Sequence, residues 1–461
     1  MITKLKITHF KSWRSTNDIR FSKLTGFFGT NSSGKTSLLQ LLLLMKQTVE
    51  SSDRTQVLDL GNERSLLELG TFKDIIFNHN TDEALDFEID WDLDKSFKIS
   101  NPEKKNVPLF EGKEISFKST IKQSLQGNLV VDGFSYIFDK SKFQMKKKKS
   151  EKCEYSLSTE PMKGKKKGFE FNRSKGRAWN LPVPIKFYGF PDQVKAYYTN
   201  AGFLSDLQLK FEELFAGVYY LGPLRDYPKR QYSWAGKQPA DMGRRGEQVI
   251  DAMLGAKGKN QKISRGQGRG KKSLSVEEYV AYWLKELGLI DTFRVQQIFD
   301  AGNLYQVLLK MSAQSPEVKI TDVGFGVSQI LPVITLCYYV PEGSTLIIEQ
   351  PEIHLHPKVQ AGLADVFIDA IEKKNIQIIL ESHSEHLLRR LQRRIAEEKF
   401  GNDSAALYFS EVNQGESVLK KLEMDLYGNI LNWPHGFFGD EMAELAAISQ
   451  AVFNRKIRKN G

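Results

Sequence analysis

The chain has 461 residues, 40% of them hydrophobic and 26% charged, with a formal net charge of +10. That balance excludes a disordered or fibrous chain, and the length suits a large core shared by two or three lobes. Two distant cysteines, Cys153 and Cys337, exclude a disulfide framework and fit a reducing, cytoplasmic compartment.

In chain order, residues 2–10 alternate apolar and polar side chains, which predicts a half-buried strand. Lys11-Ser12-Trp13 follows, then a second short strand near Ile19-Arg20-Phe21 and an apolar strand at Leu24–Phe28. Next comes Gly29-Thr30-Asn31-Ser32-Ser33-Gly34-Lys35-Thr36, which fits the phosphate-loop pattern G-x-x-x-x-G-K-[ST] at every fixed position. Ser37 and the run Leu38–Met45 then read as a buried helix, giving the strand–loop–helix context that the motif requires. The residue types match a polyphosphate. Glycines let backbone N–H groups and the helix N-terminus face phosphate, Lys35 reaches the β- and γ-phosphates, and the Thr36 hydroxyl binds Mg²⁺. ATP with Mg²⁺ is therefore the expected ligand pair. Residues 56–77, with Gly61 and Gly70, declare no role.

From 84 to 160 the period is two. Leu85, Phe87, Ile89, Trp91 and Leu93 alternate with acids, and similar alternation at 115–121, 128–138 and 153–158 predicts an antiparallel segment with one wet face. Two basic stretches stand out: Lys146–Lys149 with Lys163–Lys167, and Gly255–Lys272. Each reads either as a mobile solvated loop or as a contact for DNA or RNA phosphates, the first being favoured for nucleic acid by nearby Phe171 and Trp179. Helical spacing at 203–215 and 275–288 predicts an inserted helical lobe. Between these helices lies Arg225, which either faces phosphate or a partner subunit, or anchors a turn.

The longest apolar runs, near 38–45 and 330–340, are too short to span a bilayer, and no secretory signal opens the sequence, so no membrane role is expected. Leu346-Ile347-Ile348-Glu349 is an apolar strand ending in acid, the form taken by a strand whose tip carboxylate holds the metal shell. Glu349 joins Thr36 as the expected metal pair. A further apolar strand, Ile376–Leu380, runs into Glu381-Ser382-His383-Ser384. Glu352, His354 and His356 also invite a metal reading, but a short loop supplies too few ligands for a closed site.

These motifs, together with Thr321-Asp322-Val323-Gly324-Phe325-Gly326-Val327-Ser328-Gln329 and Pro351-Glu352-Ile353-His354-Leu355-His356-Pro357, resemble the ABC-type ATPase heads of the SMC/RecF branch. The chain looks closest to bacterial ATPases related to overcoming-lysogenization-defect (OLD) proteins, whose stand-alone members sit beside an effector gene in phage defence. The resemblance implies that Gly324, Gly326, Ser328 and Gln329 belong to a signature loop that meets nucleotide. It further implies that 351–357 is the loop after the acidic strand, and that His383 senses the γ-phosphate. Two departures are visible. Gln350 stands where the usual pattern has a catalytic Glu, and an amide cannot accept a proton as a carboxylate does. Either Glu349 or Glu352 then serves as base, or Gln350 only orients water and turnover is slow. In the signature loop, Gly326 occupies the usual serine position.

The expected fold is α/β, a P-loop NTPase of ABC/SMC-head type with an antiparallel β segment and an inserted helical lobe. Its parts are 1–200 (phosphate loop and β-rich segment), 201–300 (helical and basic lobe) and 301–461 (signature loop, acidic strand, His383). A strand at 405–412, a helix at 384–399 and a final helix near 440–458 complete the chain, leaving no room for an OLD-type nuclease domain. The expected function is a Mg-ATP switch, dimeric or larger, with catalytic candidates Glu349, Gln350, Glu352 and His383, which controls a separate effector such as a nuclease. The alternative is a DNA-gripping repair or chromosome-maintenance ATPase, against which stands the lack of a long heptad repeat.

Overall fold

The computed structural model describes residues 1–100, 108–149, 154–163, 168–175, 180–264, 273–298, 302–434, 448, 450 and 451. The chain opens with β1 (Ile2–Phe10), β2 (Trp13–Ser15), β3 (Ile19–Arg20) and β4 (Leu24–Gly29), then α1 (Lys35–Glu50) and α2 (Phe72–Ile75). The period-two region forms β5 (Leu85–Ser100), β6 (Pro108–Gln123), β7 (Leu129–Phe138), β8 (Ser141–Lys147) and β9 (Tyr155–Pro161). After α3 (Gln193–Tyr197), α4 (Leu204–Ala216) and β10 (Val218–Leu221) come β11 (Tyr232–Ser233), α5 (Val249–Gly258), β12 (Lys262–Ser264), β13 (Ser273–Ser275) and α6 (Val276–Glu286). Then follow β14 (Thr292–Gln297), β15 (Leu304–Lys310), β16 (Val318–Lys319), α7 (Phe325–Tyr339), β17 (Thr345–Glu349) and α8 (Pro357–Lys374). The last elements are β18 (Gln377–Glu381), α9 (Glu385–Ala396), β19 (Ala405–Asn413) and β20 (Glu416–Leu422).

The central sheet runs β10-β17-β18-β4-β19-β20, parallel except for its last strand. Parallel strands with both faces covered read as unbroken apolar runs, and Leu346-Ile347-Ile348 and Ile378-Ile379-Leu380 are of that kind. Alternate side chains feed two cores. Leu24, Phe28, Leu346, Ile348, Ile378 and Leu380 pack with α5 to α9, whereas Phe27, Ile347, Ile379 and Tyr408 face the Leu38–Met45 run of α1. Beyond α1 and α4 lies the antiparallel sheet β2-β1-β5-β6-β7-β8-β9, with β3 following β2 along the edge of β1 away from β5. Its inward residues, including Leu5, Ile7, Phe87, Ile89 and Phe117, share the second core. The layers are thus antiparallel sheet, helices, parallel sheet, helices.

The 201–300 stretch does not stand apart as the sequence predicts. β10 is the edge strand of the central sheet, α4 packs on α1, and α5 and α6 pack on α7. The helical spacing is real, but the faces it marks close the main cores rather than a separate lobe. Gly255–Gly258, expected in a mobile loop, ends α5, and Lys257 pairs with Glu277 at 3.1 Å. Lys146 and Lys147 lie on β8, and Lys148 Nζ donates to Asn180 Oδ1 at 2.7 Å. Cys153, residues 164–167, Trp179 and 265–272 lie outside the described residues, as does the helix expected near 440–458 apart from 448, 450 and 451.

Gln377 ties the two sheets together. Fully buried at the start of β18, it accepts from Ile2 N at 3.0 Å and donates to Ile2 O at 2.7 Å and to Ser22 O at 3.1 Å. Gln377→Leu leaves the Ile2 backbone groups buried and unpaired, so urea unfolding is expected to show a loss of about 1–3 kcal/mol. A change within about 0.5 kcal/mol, the range of an ordinary surface substitution, contradicts that account.

Candidate functional site

The phosphate loop hangs between β4 and α1, and its shape depends on close backbone approach. Gly29 has φ +138°, and a Cβ there meets Ser410 O at 2.0 Å. Gly34 has φ +85°, and a Cβ there meets Ser417 Oγ at 2.5 Å and Ser12 Oγ at 2.6 Å. Only glycine fits both demands. Inside the loop, Ser33 Oγ donates to Thr30 O at 2.8 Å, while Asn31 and Ser32 are exposed at the rim and Ser32 is left-handed at φ 59°. Lys35 is 3% exposed, and its Nζ donates to Gly29 O at 3.2 Å and Thr30 O at 2.7 Å. Burial lowers its pKa, against the pull of Glu381 and Glu352.

A cavity of about 590 Å³ opens over this loop. It is lined by Asn31 to Ser37 of the loop and α1, by Gln350, Glu381 and His383 from the strand ends, and by Lys11 and Ser12 from the β1–β2 turn. The amino-terminal loop and the two strand tips, some three hundred residues apart in sequence, therefore share one pocket. Sequence order alone hides this; the strand order β17-β18-β4 produces it.

Three of the lining residues, Glu381, Lys11 and Ser12, were not foreseen. The first is Glu381: its Oε2 accepts from Thr36 Oγ1 at 2.8 Å, the place expected for Glu349. The second is Lys11, whose Nζ donates to Gln40 and whose pKa burial lowers. The acid of Glu381-Ser382-His383 was in plain view as the end of an apolar strand, the same signal that marks Glu349. Nothing in the local pattern marks Lys11, which reaches the pocket only through the β1–β2 turn.

Glu349 is 4% exposed and turned to the other flank. Its Oε1 accepts from Tyr220 Oη at 2.8 Å, and its carbonyl accepts from Arg225 Nη2 at 3.1 Å. Arg225 does not line this pocket: it is 4% exposed, beside Glu349 and Glu352, with Nε and Nη1 unpartnered. Its pKa falls to about 10 through burial. Burial, then the neighbouring Glu381, pushes Glu349 up to about 7. Burial also raises Glu352 and Glu381. Gln350 sits in the left-handed region at φ 45°, its N–H held by Glu381 O at 2.8 Å and its side chain hydrogen-bonded to Glu381.

His383 lies on the pocket wall with its ring exposed, and its backbone N–H donates to Glu352 Oε1. Partial burial, then the nearby Lys35 charge, lowers its pKa. Gly324, Gly326, Ser328 and Gln329 do not line this pocket. Gly324 caps α7 and is exposed, Gly326 follows in the first turn, and Ser328 and Gln329 are buried. Ser328 Oγ donates to Phe325 O at 2.7 Å, so its hydroxyl is spent on its own helix. His356 Nδ1 caps α8 by accepting from Lys358 N, and the His354 ring packs on Phe325, so neither imidazole joins Glu352 around a metal. No group of three or more metal-ligating side chains occurs among the described residues, nor any helix long and apolar enough to cross a membrane.

A glycine loop between a buried parallel strand and a buried helix, faced by acidic strand tips and a histidine, defines a P-loop NTPase. The chain belongs to the AAA ATPase domain family, which matches residues 1–183 and 255–388. Residues 401–448 match a second family, described as a protein of unknown function (DUF3696). The stretch between the two AAA segments supplies β10, Tyr220 and Arg225. No curated protein matches the chain. Among solved structures, an SMC head bound to the C-terminal winged-helix domain of ScpA overlaps 92% of this chain and 98% of its own, at 10% identity and TM-score 0.45. The SMC head domain of Thermotoga maritima overlaps 92% and 99% at 11% identity and TM-score 0.41. A Pyrococcus furiosus SMC head with an extended coiled coil, bound to the C-terminal domain of ScpA, overlaps 92% and 96% at 10% identity and TM-score 0.43. Family membership rests on the sequence match and not on these overlaps.

Proposed function

We propose that the chain is a Mg-ATP-dependent switch that binds ATP between two copies of itself and hydrolyses it slowly. The observation that carries this reading is an incomplete pocket: phosphate loop, Glu381, Gln350 and His383 converge, while the signature residues of the same chain lie elsewhere. The N-terminus of α7 presents Gly324 next to Phe325, whose ring packs on Tyr227 at 5.6 Å between centroids, the two being 38% and 71% exposed. A second copy docked there brings helix-terminal N–H groups and apolar area to the first copy's nucleotide. Binding then favours the paired state because the γ-phosphate touches both chains, and hydrolysis removes that differential contact.

Within one pocket the roles follow from the donors. Lys35 and the loop amides bind phosphate, and His383 stands where it can report the γ-phosphate. The donor set also fits Mg²⁺: a hydroxyl aimed at a buried carboxylate, beside a second buried acid, offers hard oxygens and uncompensated charge. When bound, Mg²⁺ neutralises developing phosphate charge. Gln350, whose amide cannot take a proton, orients water, which supports slow turnover. Control of a separate effector in phage defence, in the cytoplasm, is the finer reading and rests on the resemblance of the motifs to OLD-type ATPases.

Light scattering tests the switch. The purified protein is expected to double in mass with Mg²⁺ and a non-hydrolysable ATP analogue, and to stay at its starting mass with ADP. An unchanged mass at saturating analogue overturns the two-copy site.

A further inference from the structure

We propose that Glu381, at the tip of β18, is the carboxylate that holds the nucleotide's divalent cation together with Thr36, in place of Glu349 at the tip of β17. This rests on the ATP-site reading and assigns the metal within it. The first argument is strand order. β18 pairs directly with β4, the strand that feeds the phosphate loop, with Glu381 opposite Phe27. β17 lies one strand further out, with Glu349 opposite Glu381. Strands in a sheet stand about 4.8 Å apart, so Glu349 starts one such spacing further from Thr36 than Glu381 does.

Side-chain partners point the same way. Glu381 is 3% exposed yet lines the pocket, and one of its oxygens takes the Thr36 hydroxyl at 2.8 Å. In the phosphate-loop pattern that hydroxyl is the one that binds Mg²⁺, so a carboxylate already touching it is placed at the cation's edge. Glu349, by contrast, is committed to Tyr220 Oη at 2.8 Å and is not among the pocket's lining residues. Gln350 closes the arrangement from β17 by hydrogen-bonding the Glu381 side chain. The residue at the position of the usual catalytic acid thus supports a carboxylate borrowed from the next strand. Mg²⁺ is commonly held by one or two carboxylates plus phosphate and water, so a single acid with Thr36 suffices.

The test measures binding of a fluorescent ADP analogue with Mg²⁺ and with EDTA, and Mn²⁺ affinity of the ADP complex by electron paramagnetic resonance. Glu381→Gln is expected to weaken Mn²⁺ by at least about 10–100-fold, the usual cost of losing even an outer partner of a metal ligand, and to erase the Mg²⁺ gain in nucleotide affinity. Binding in EDTA should persist, showing that the loop is intact. Glu349→Gln should keep the Mg²⁺ gain and the Mn²⁺ affinity. Glu381→Asp, which retains a carboxylate, should keep part of both. Loss of the metal effect in Glu349→Gln with its retention in Glu381→Gln overturns the proposal, and so does identical behaviour of Glu381→Asp and Glu381→Gln. Unaltered nucleotide binding by Lys35→Ala would instead count against the ATP site itself.

Discussion

Lys35→Ala is expected to weaken binding of a fluorescent ATP analogue by about 100-fold or more, which corresponds to about 2.7 kcal/mol. The lysine is the loop's own cation, and hydrogen bonds to charged groups contribute about 1.5–3 kcal/mol each. Its ammonium is held in reserve on the Gly29 and Thr30 carbonyls at 3.2 and 2.7 Å, in the wall of the pocket. Those two contacts keep a long side chain ordered where phosphate arrives, so little conformational entropy remains to be lost on binding. The same substitution should hardly alter folding. It removes two hydrogen bonds but also a buried charge that burial disfavours. Equilibrium unfolding within about 1 kcal/mol of wild type, alongside the binding loss, is therefore the expected pair of results. A dissociation constant within about threefold of wild type sinks the assignment, because Lys35 is the loop's own lysine, the one that reaches the β- and γ-phosphates.

Much of the fold was legible because periodicity and burial agree. The buried strands Leu24–Phe28, Leu346–Glu349 and Gln377–Glu381 appear as apolar runs, and the antiparallel strands as alternation, since one of their faces is wet. What periodicity cannot carry is which element packs on which. α4 and α6 were readable as helices, yet their apolar faces close the same cores as α1 and α7, and β10 was too short to declare itself a sheet edge. The site divides in the same way. Gly29, Gly34, Lys35 and Thr36 are fixed by local backbone chemistry, so the motif finds them. Glu381, Lys11, Tyr220 and Arg225 enter through strand order and turns that a linear reading does not order. Ser328 shows the converse: a residue in the right motif whose hydroxyl folds back on its own helix.

Glu349→Gln is expected to make the nucleotide-free protein more stable relative to wild type as pH rises from about 5 to about 8. Burial and the adjacent Glu381 push the Glu349 carboxyl from 4.5 to about 7 in the folded chain. A raised carboxyl means that the folded state binds more protons than the unfolded state between those two values. The neutral acid's contribution is therefore complete below the lower value and is lost as pH climbs through the upper one. The shift sets a ceiling of about 3 kcal/mol, at about 1.4 kcal/mol per pH unit. Glutamine keeps an oxygen for the Tyr220 hydroxyl and has nothing to ionise, so it resembles the neutral acid at every pH. Near the lower end wild type and variant should unfold together in denaturant; near the upper end the variant should lead by up to that ceiling. Arg225 opposes the effect, since its charge lowers the same carboxyl's pKa. Arg225→Met should accordingly steepen wild type's loss with pH, and Arg225→Met with Glu349→Gln should flatten it again. Parallel pH profiles for wild type and Glu349→Gln would mean that this carboxyl ionises freely in the folded chain and is not held by the contacts around it.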